Sequence, residues 1–171
     1  MGYTTEFDGE FSVSPPLRLE HATYLRTFSQ TRRMKRDSLK TSLRSDPVRE
    51  GVSLPVGDEG AYFVGEDGFK GQDIGPDVIN PNIPPVGQPG LWCQWTPSED
   101  GSTIQWDGGE KFYDYIEWIR YLIEHFLEPW GYTLSGEVRW EGEDHEDMGL
   151  IHISHNLVKV KIARITYEDE E

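Results

Sequence analysis

The stretch from Glu110 to Leu127 constrains the fold more than any other part of the chain. Phe112, Tyr115, Ile116, Ile119, Leu122, Ile123 and Phe126 recur at steps of three and four, the apolar stripe of an amphipathic helix. Asp114, Glu117, Arg120, Tyr121, Glu124 and Glu128 take the other side. Gly108-Gly109 opens the stretch, and Pro129 with Gly131 closes it, as helix stop signals do. A helix with one apolar stripe needs a second layer to bury it.

Alternating stretches supply that layer. Tyr3 to Val13 reads as a strand, with Tyr3, Phe7, Phe11 and Val13 on one parity and Glu6, Asp8, Glu10 and Ser12 on the other. Leu91–Thr96 and Thr103–Trp106 read as a hairpin joined through residues 97–101. After Gly131, Tyr132, Leu134, Val138 and Trp140 hold the even positions of a further strand. Leu150–Ser154 and Leu157–Ile165 form a second hairpin across His155-Asn156. A first helix runs from about Glu20 to Lys35 on Ala22, Leu25 and Phe28. Its basic end of Arg32, Arg33, Lys35 and Arg36 suits a helix C-terminus, where the dipole favours cations.

From Asp37 to Gly90 periodicity is lost to glycine and proline punctuation. Only Ala61–Val64 reads as extended. Tyr62, Phe63, Phe69 and Ile74 favour an irregular layer draped over a sheet rather than a mobile insertion. The fold class is therefore α+β: a mainly antiparallel sheet with two helices on one face and a long irregular Gly/Pro-rich region. A ferredoxin-like split arrangement is the nearest common architecture. At 171 residues the chain suits one domain spanning 1–171, with 37–90 as its irregular layer.

Charge narrows the partners. The net charge of −15 disfavours nucleic acid, which needs a basic surface. It is unevenly placed. Nine of the 16 Lys and Arg residues lie between Arg18 and Arg49, opposed only by Glu20, Asp37 and Asp46. That balance of +6 leaves −21 for the remainder, which can make a dipolar surface or an internal pairing. One cysteine, Cys93, permits no intrachain disulfide. No basic-then-apolar leader or long apolar run occurs, so the expectation is a cytoplasmic protein without a membrane span.

Three combinations could carry chemistry. The acidic turn 141–147 offers Asp144 and Asp147 as oxygen ligands for a divalent cation, and with it a metal-dependent hydrolase or transferase, although the spacing matches no Ca²⁺ loop. Cys93 with His125 or His152 could form a nucleophilic pair, but as a small residue between Trp92 and Trp95 it reads more simply as core. The most suggestive set is Arg32, Arg33 and Arg36 with Trp92, Trp95 and Trp118. Guanidinium forks bind phosphate and aromatic faces stack on bases. The plainer alternative has the aromatics sealing the irregular region and the arginines pairing with the acidic turn. No cofactor fingerprint, Walker loop or zinc pattern occurs.

Four blocks resemble an uncharacterised family of small bacterial and phage-encoded proteins: Met1-Gly2-Tyr3-Thr4, Gly87 to Trp95, Trp106 to Tyr113 and Gly136 to Gly149. The resemblance spans nearly the whole chain. It implies one intact domain in a bacterial or phage cytoplasmic setting, and it brings no activity and no catalytic residue. The expectation from the residues themselves is a non-enzymatic binding protein for a phosphorylated small ligand such as a nucleotide, or for a protein partner. An acidic inhibitor or decoy of a basic partner is the third reading.

Overall fold

Alternating side chains build one sheet, and its strand order explains the placement of the main helix. The structure, a computed structural model, describes residues 2–65 and 74–170. Phe69 and the glycine-bounded stretch 65–68, apart from Gly65 itself, lie outside the described residues. The six strands of the sheet are β1 (Thr5–Ser14), β4 (Trp95–Pro97), β5 (Thr103–Trp106), β6 (Thr133–Gly142), β7 (Met148–Ser154) and β8 (Leu157–Ile162). They lie in the order β4-β5-β1-β6-β7-β8, every neighbouring pair antiparallel. β5 and β6 flank β1, so the helix that joins them must cross the sheet over β1. The β7–β8 hairpin turns at His155 and Asn156, whose φ angles of 48° and 70° are those of a two-residue type I′ turn.

One sheet face is apolar and the other is wet. Phe11, Val13, Leu134, Val138, Trp140, Ile151 and Ile153 point into a core shared with α1 (Leu19–Ser29) and α4 (Tyr115–Leu122). Both helices therefore lie on that one face. On the opposite face Glu6, Asp8 and Glu10 sit across from Glu141, Arg139 and Glu137.

The helices differ from their sequence periodicity in instructive ways. The main helix begins at Tyr115, not at Glu110, because Lys111 and Asp114 both hold left-handed backbone, with φ of 57° each. Phe112 still reaches the core, but from a loop. At its far end the helix widens into a π-helical turn, Ile123–Leu127, which brings both Phe126 and Leu127 into the core. Tyr121 is buried although its position falls on the polar side. A layer lies against that flank, where Gln88 Nε2 donates to Tyr121 Oη at 3.0 Å.

α1 ends at Ser29, before the basic cluster, so Arg32, Arg33, Lys35 and Arg36 do not decorate a helix C-terminus. The chain is instead captured by the layer: Arg33 N–H donates to Leu91 O at 2.8 Å and Lys35 N–H to Ile83 O at 2.8 Å. β2 (Lys35–Arg36) then pairs with β3 (Val78–Asn80). Between them lie the short helices α2 (Ser38–Thr41) and α3 (Pro47–Glu50) and a 3₁₀ turn at Asp58–Gly60. Ala61–Val64 is no strand; it is turn and irregular backbone with Phe63 and Val64 buried.

This layer covers the helices rather than the sheet. Tyr24 of α1 donates to Tyr62 O at 2.8 Å, and Tyr62 Oη lies 3.1 Å from His125 Nδ1. Internal ion pairs hold it together. The Asp46 carboxylate accepts from Arg49 Nε at 2.7 Å and from Gly65 N–H at 2.8 Å. Asp77 accepts from Arg36, Arg44 and Thr41, and both guanidiniums stack on the Phe63 ring at 4.5 and 4.9 Å. Four of the nine cations of the basic segment, Lys35, Arg36, Arg44 and Arg49, are thus paired with carboxylates inside this layer.

Candidate functional site

The layer's architecture decides which arginines are engaged. Arg33, 2% exposed, donates through Nε to Gln88 Oε1 at 3.2 Å and through Nη2 to Ala61 O at 2.7 Å, with its guanidinium 4.2 Å above the Phe28 ring. Burial lowers its pKa to about 10, so it stays charged at neutral pH. Arg36 is buried against Asp77. Trp95 is core: its Nε1 donates to Tyr115 O at 2.9 Å, and its ring packs on Phe7, Phe11 and Phe112. None of these three reaches an open site. The arginines also do not pair with the acidic turn. There Asp147 accepts from Trp140 Nε1 at 3.0 Å and from Tyr3 Oη at 2.8 Å, and Asp144 Oδ1 accepts from Glu146 N–H at 3.3 Å. Among the described residues no group of three or more His, Cys, Asp or Glu is placed to hold a metal ion.

Arg32 and Trp92 do come together. They line a pocket of about 430 Å³ with Gly90, Lys111, Tyr113 and Asp114, a volume within the range of small-ligand sites. Arg32 Nε donates to Pro81 O at 2.9 Å and Nη2 to Asn82 Oδ1 at 3.3 Å. Those bonds orient the guanidinium and leave Nη1 without a partner among the described residues. Opposite it, Gln94 sets the 107–114 loop: its Nε2 donates to Glu110 O at 2.7 Å while its Oε1 accepts from Trp106 Nε1 at 3.0 Å. Tyr113 Oη accepts from Tyr3 N–H at 3.1 Å, so the N-terminal segment pins that side of the pocket.

Compared with family models, curated proteins and solved structures, the chain matches none. The chemistry of the pocket is read from its own side chains. Two cations, Arg32 and Lys111, share the lining with two acidic residues, Glu110 and Asp114, and two aromatic rings, Trp92 and Tyr113. Asp114 occupies the N-cap position of α4 but makes no side-chain cap bond, so its carboxylate is free to serve the pocket. Partial burial and then the neighbouring Glu117 raise its pKa above the ordinary carboxylate value.

Trp118 lies behind Gly90 and does not line the pocket. Its side chain is fully buried, yet Nε1 has no hydrogen-bond partner among the described residues. An unsatisfied buried donor costs about 1–3 kcal/mol. A Cβ built on Gly90 would sit 3.6 Å from Trp118 Nε1 and 3.6 Å from Asp114 Oδ2. The indole nitrogen and the carboxylate therefore both lie close to Gly90, where an alanine methyl would make ordinary van der Waals contacts.

Of the six ligand-binding residues singled out from the sequence, Arg32 and Trp92 line this pocket, and Trp118 lies behind Gly90 without lining it. Lys111, Tyr113 and Asp114 escaped because helical periodicity absorbed them. The one available signal was Gly108-Gly109, which marks where the loop begins rather than where the helix does. Cys93 is fully buried, and burial pushes its thiol up to about 12, far from a working nucleophile. Among the described residues no helix is long and apolar enough to cross a membrane.

Proposed function

We propose that the protein binds a small phosphorylated ligand of the nucleotide class in the Arg32–Trp92 pocket, without turning it over. The observation that carries this reading is the coincidence of an unengaged guanidinium nitrogen and an aromatic wall in one cavity, while Arg33 and Arg36 are engaged inside the layer. Arg32 Nη1 and Lys111 would take the phosphate, a charge-assisted contact. Trp92 would stack on the ring. In the same reading, the β4-β5-β1-β6 portion with its two crossing helices supports a ferredoxin-like core extended by β7 and β8.

Isothermal titration with nucleoside monophosphates tests it. Arg32→Ala should weaken binding roughly 10- to 100-fold, the worth of a hydrogen bond to a charged group. Arg33→Met should leave affinity unchanged. Equal affinity of wild type and Arg32→Ala would refute the assignment of this pocket.

A further inference from the structure

The two edges of the sheet are finished differently. β4, at one end, is three residues long and includes Pro97, and Arg26 Nη2 caps the adjoining Ser98 O at 3.0 Å. Short length and proline blunt an edge strand. β8, at the other end, has six residues, and among the described residues no strand lies on its outer side. Ala163 N–H donates inward to Met148 O at 2.9 Å, so by alternation the backbone groups of Val158, Val160 and Ile162 face outward. Such a row is a template for another strand.

Past β8 the chain overhangs its neighbour. β7 begins at Met148, which Ala163 already meets, and no strand of the described residues lies beside 164–170. Those residues are exposed and form no strand, although Ile165-Thr166-Tyr167 is a β-branched and aromatic run suited to one. Ile162, Ile165 and Tyr167 are left 69%, 46% and 90% exposed. Charge is ordered about this run. Lys159, Lys161 and Arg164 precede Ile165, and Glu168, Asp169 and Glu170 follow Tyr167.

An edge that is basic before an apolar centre and acidic after it becomes its own complement when turned end for end. We propose that this edge pairs with the same edge of a second copy, antiparallel about a two-fold axis at Ile165-Thr166, joining the two sheets. A two-fold interface must be self-complementary, and charge restricts the register. An axis at residue 160 or 161 sets lysine against lysine, and one at 164 sets Arg164 against its own copy, both destabilising. With the axis at Ile165, Lys161 lies opposite the partner's Asp169. With the axis at Thr166, Arg164 lies opposite the partner's Glu168. Either way the overhanging apolar run gains a neighbour and the outward backbone groups gain partners.

Sedimentation velocity over a concentration series tests this in about 0.15 M salt, which screens the overall −15 charge beyond near neighbours. Circular dichroism confirms that each variant is folded, and the substituted side chains are all exposed. Wild type should dimerise. Converting Lys159, Lys161 and Arg164 to Glu should weaken the dimer about 10- to 100-fold, as should converting Glu168, Asp169 and Glu170 to Lys. Both sets together restore complementarity with the net charge of wild type, so the doubly converted chain should dimerise again. Under mild oxidation Ile165→Cys or Thr166→Cys should form a disulfide dimer, whichever residue sits on the axis; Cys93 is buried and takes no part. A wild type that stays monomeric throughout would overturn the proposal and leave the lysines as guards of a free edge. A dimer indifferent to both charge sets and uncrosslinked at 165 and 166 would overturn it too.

Discussion

Arg33→Met separates a structural arginine from a functional one. The guanidinium is 2% exposed and has no carboxylate partner among the described residues; its Nη1 has no hydrogen-bond partner at all among them. A guanidinium whose pKa has fallen from 12.5 to about 10 is carried at an electrostatic cost of about 3 kcal/mol. Against that stand two hydrogen bonds, together contributing about 3 kcal/mol, and the stacking on Phe28, worth about 1 kcal/mol. Of the two acceptors, Gln88 Oε1 would lose its donor, at a cost of about 1 kcal/mol or more, while Ala61 O would not be stranded. Ala61 O still accepts from Gln88 Nε2 at 2.6 Å, and Gln88 Nε2 still reaches Tyr121 Oη. Methionine refills most of the volume with a flexible apolar chain. The terms leave a modest net loss, so the variant should lie within about 3 kcal/mol of wild type in urea unfolding followed by circular dichroism, with an unchanged m-value. A loss well above 3 kcal/mol, the signature of a broken buried ion pair, would refute the reasoning. It would mean that an anionic group holds Arg33.

Two further outcomes follow from the same chemistry. Burial alone would raise the Asp77 carboxyl, but Thr41, Arg36 and Arg44 more than reverse this and hold it below its ordinary value. A depressed folded pKa contributes stability that is present above about pH 4 and lost as pH falls below it. Thermal midpoints should therefore drop as pH falls below about 4, and Asp77→Asn, less stable at neutrality, should show a shallower drop. If the variant's slope matches that of wild type, the network is not what acid disrupts. With its thiol pushed up to about 12 and no exposed surface, Cys93 should resist a thiol-exchange reagent at pH 8 until the chain unfolds, and fast labelling of the native protein would contradict its burial.

The sheet was legible because period-two alternation survives wherever one face is buried and the other wet. Phe11 and Val13, Leu134 and Val138, and Ile151 and Ile153 each lie on the face their parity predicts. The irregular layer was less legible. Its order comes from pairings distant in sequence, such as Arg36 with Asp77 and Arg33 with Gln88, and neither partner carries a local signal of the other. That same remoteness made a run of basic residues look like one binding patch. The chain places its members differently: Arg33 and Arg36 face inward, and Arg32 faces the pocket.

The pocket was hidden by the very feature that forms it. Lys111 and Asp114 adopt left-handed backbone that a non-glycine residue enters at a cost of roughly 1–2 kcal/mol each. Had residues 110–114 been helical, as their hydrophobic spacing invites, Asp114 would sit inside the first helical turns. It would then be one exposed carboxylate on a solvent face. The two strained residues instead delay the helix until Tyr115. This leaves Phe112 anchored in the core and puts Lys111 and Asp114 at one cavity with Trp92. Periodicity reports what the core needs, and it still identified Phe112. It is silent about backbone held against local preference by Gln94 on one side and the N-terminal segment on the other. The packing sustains this strain, and what the strained backbone positions is a cation and a carboxylate, Lys111 and Asp114, at the pocket that Arg32 and Trp92 also line.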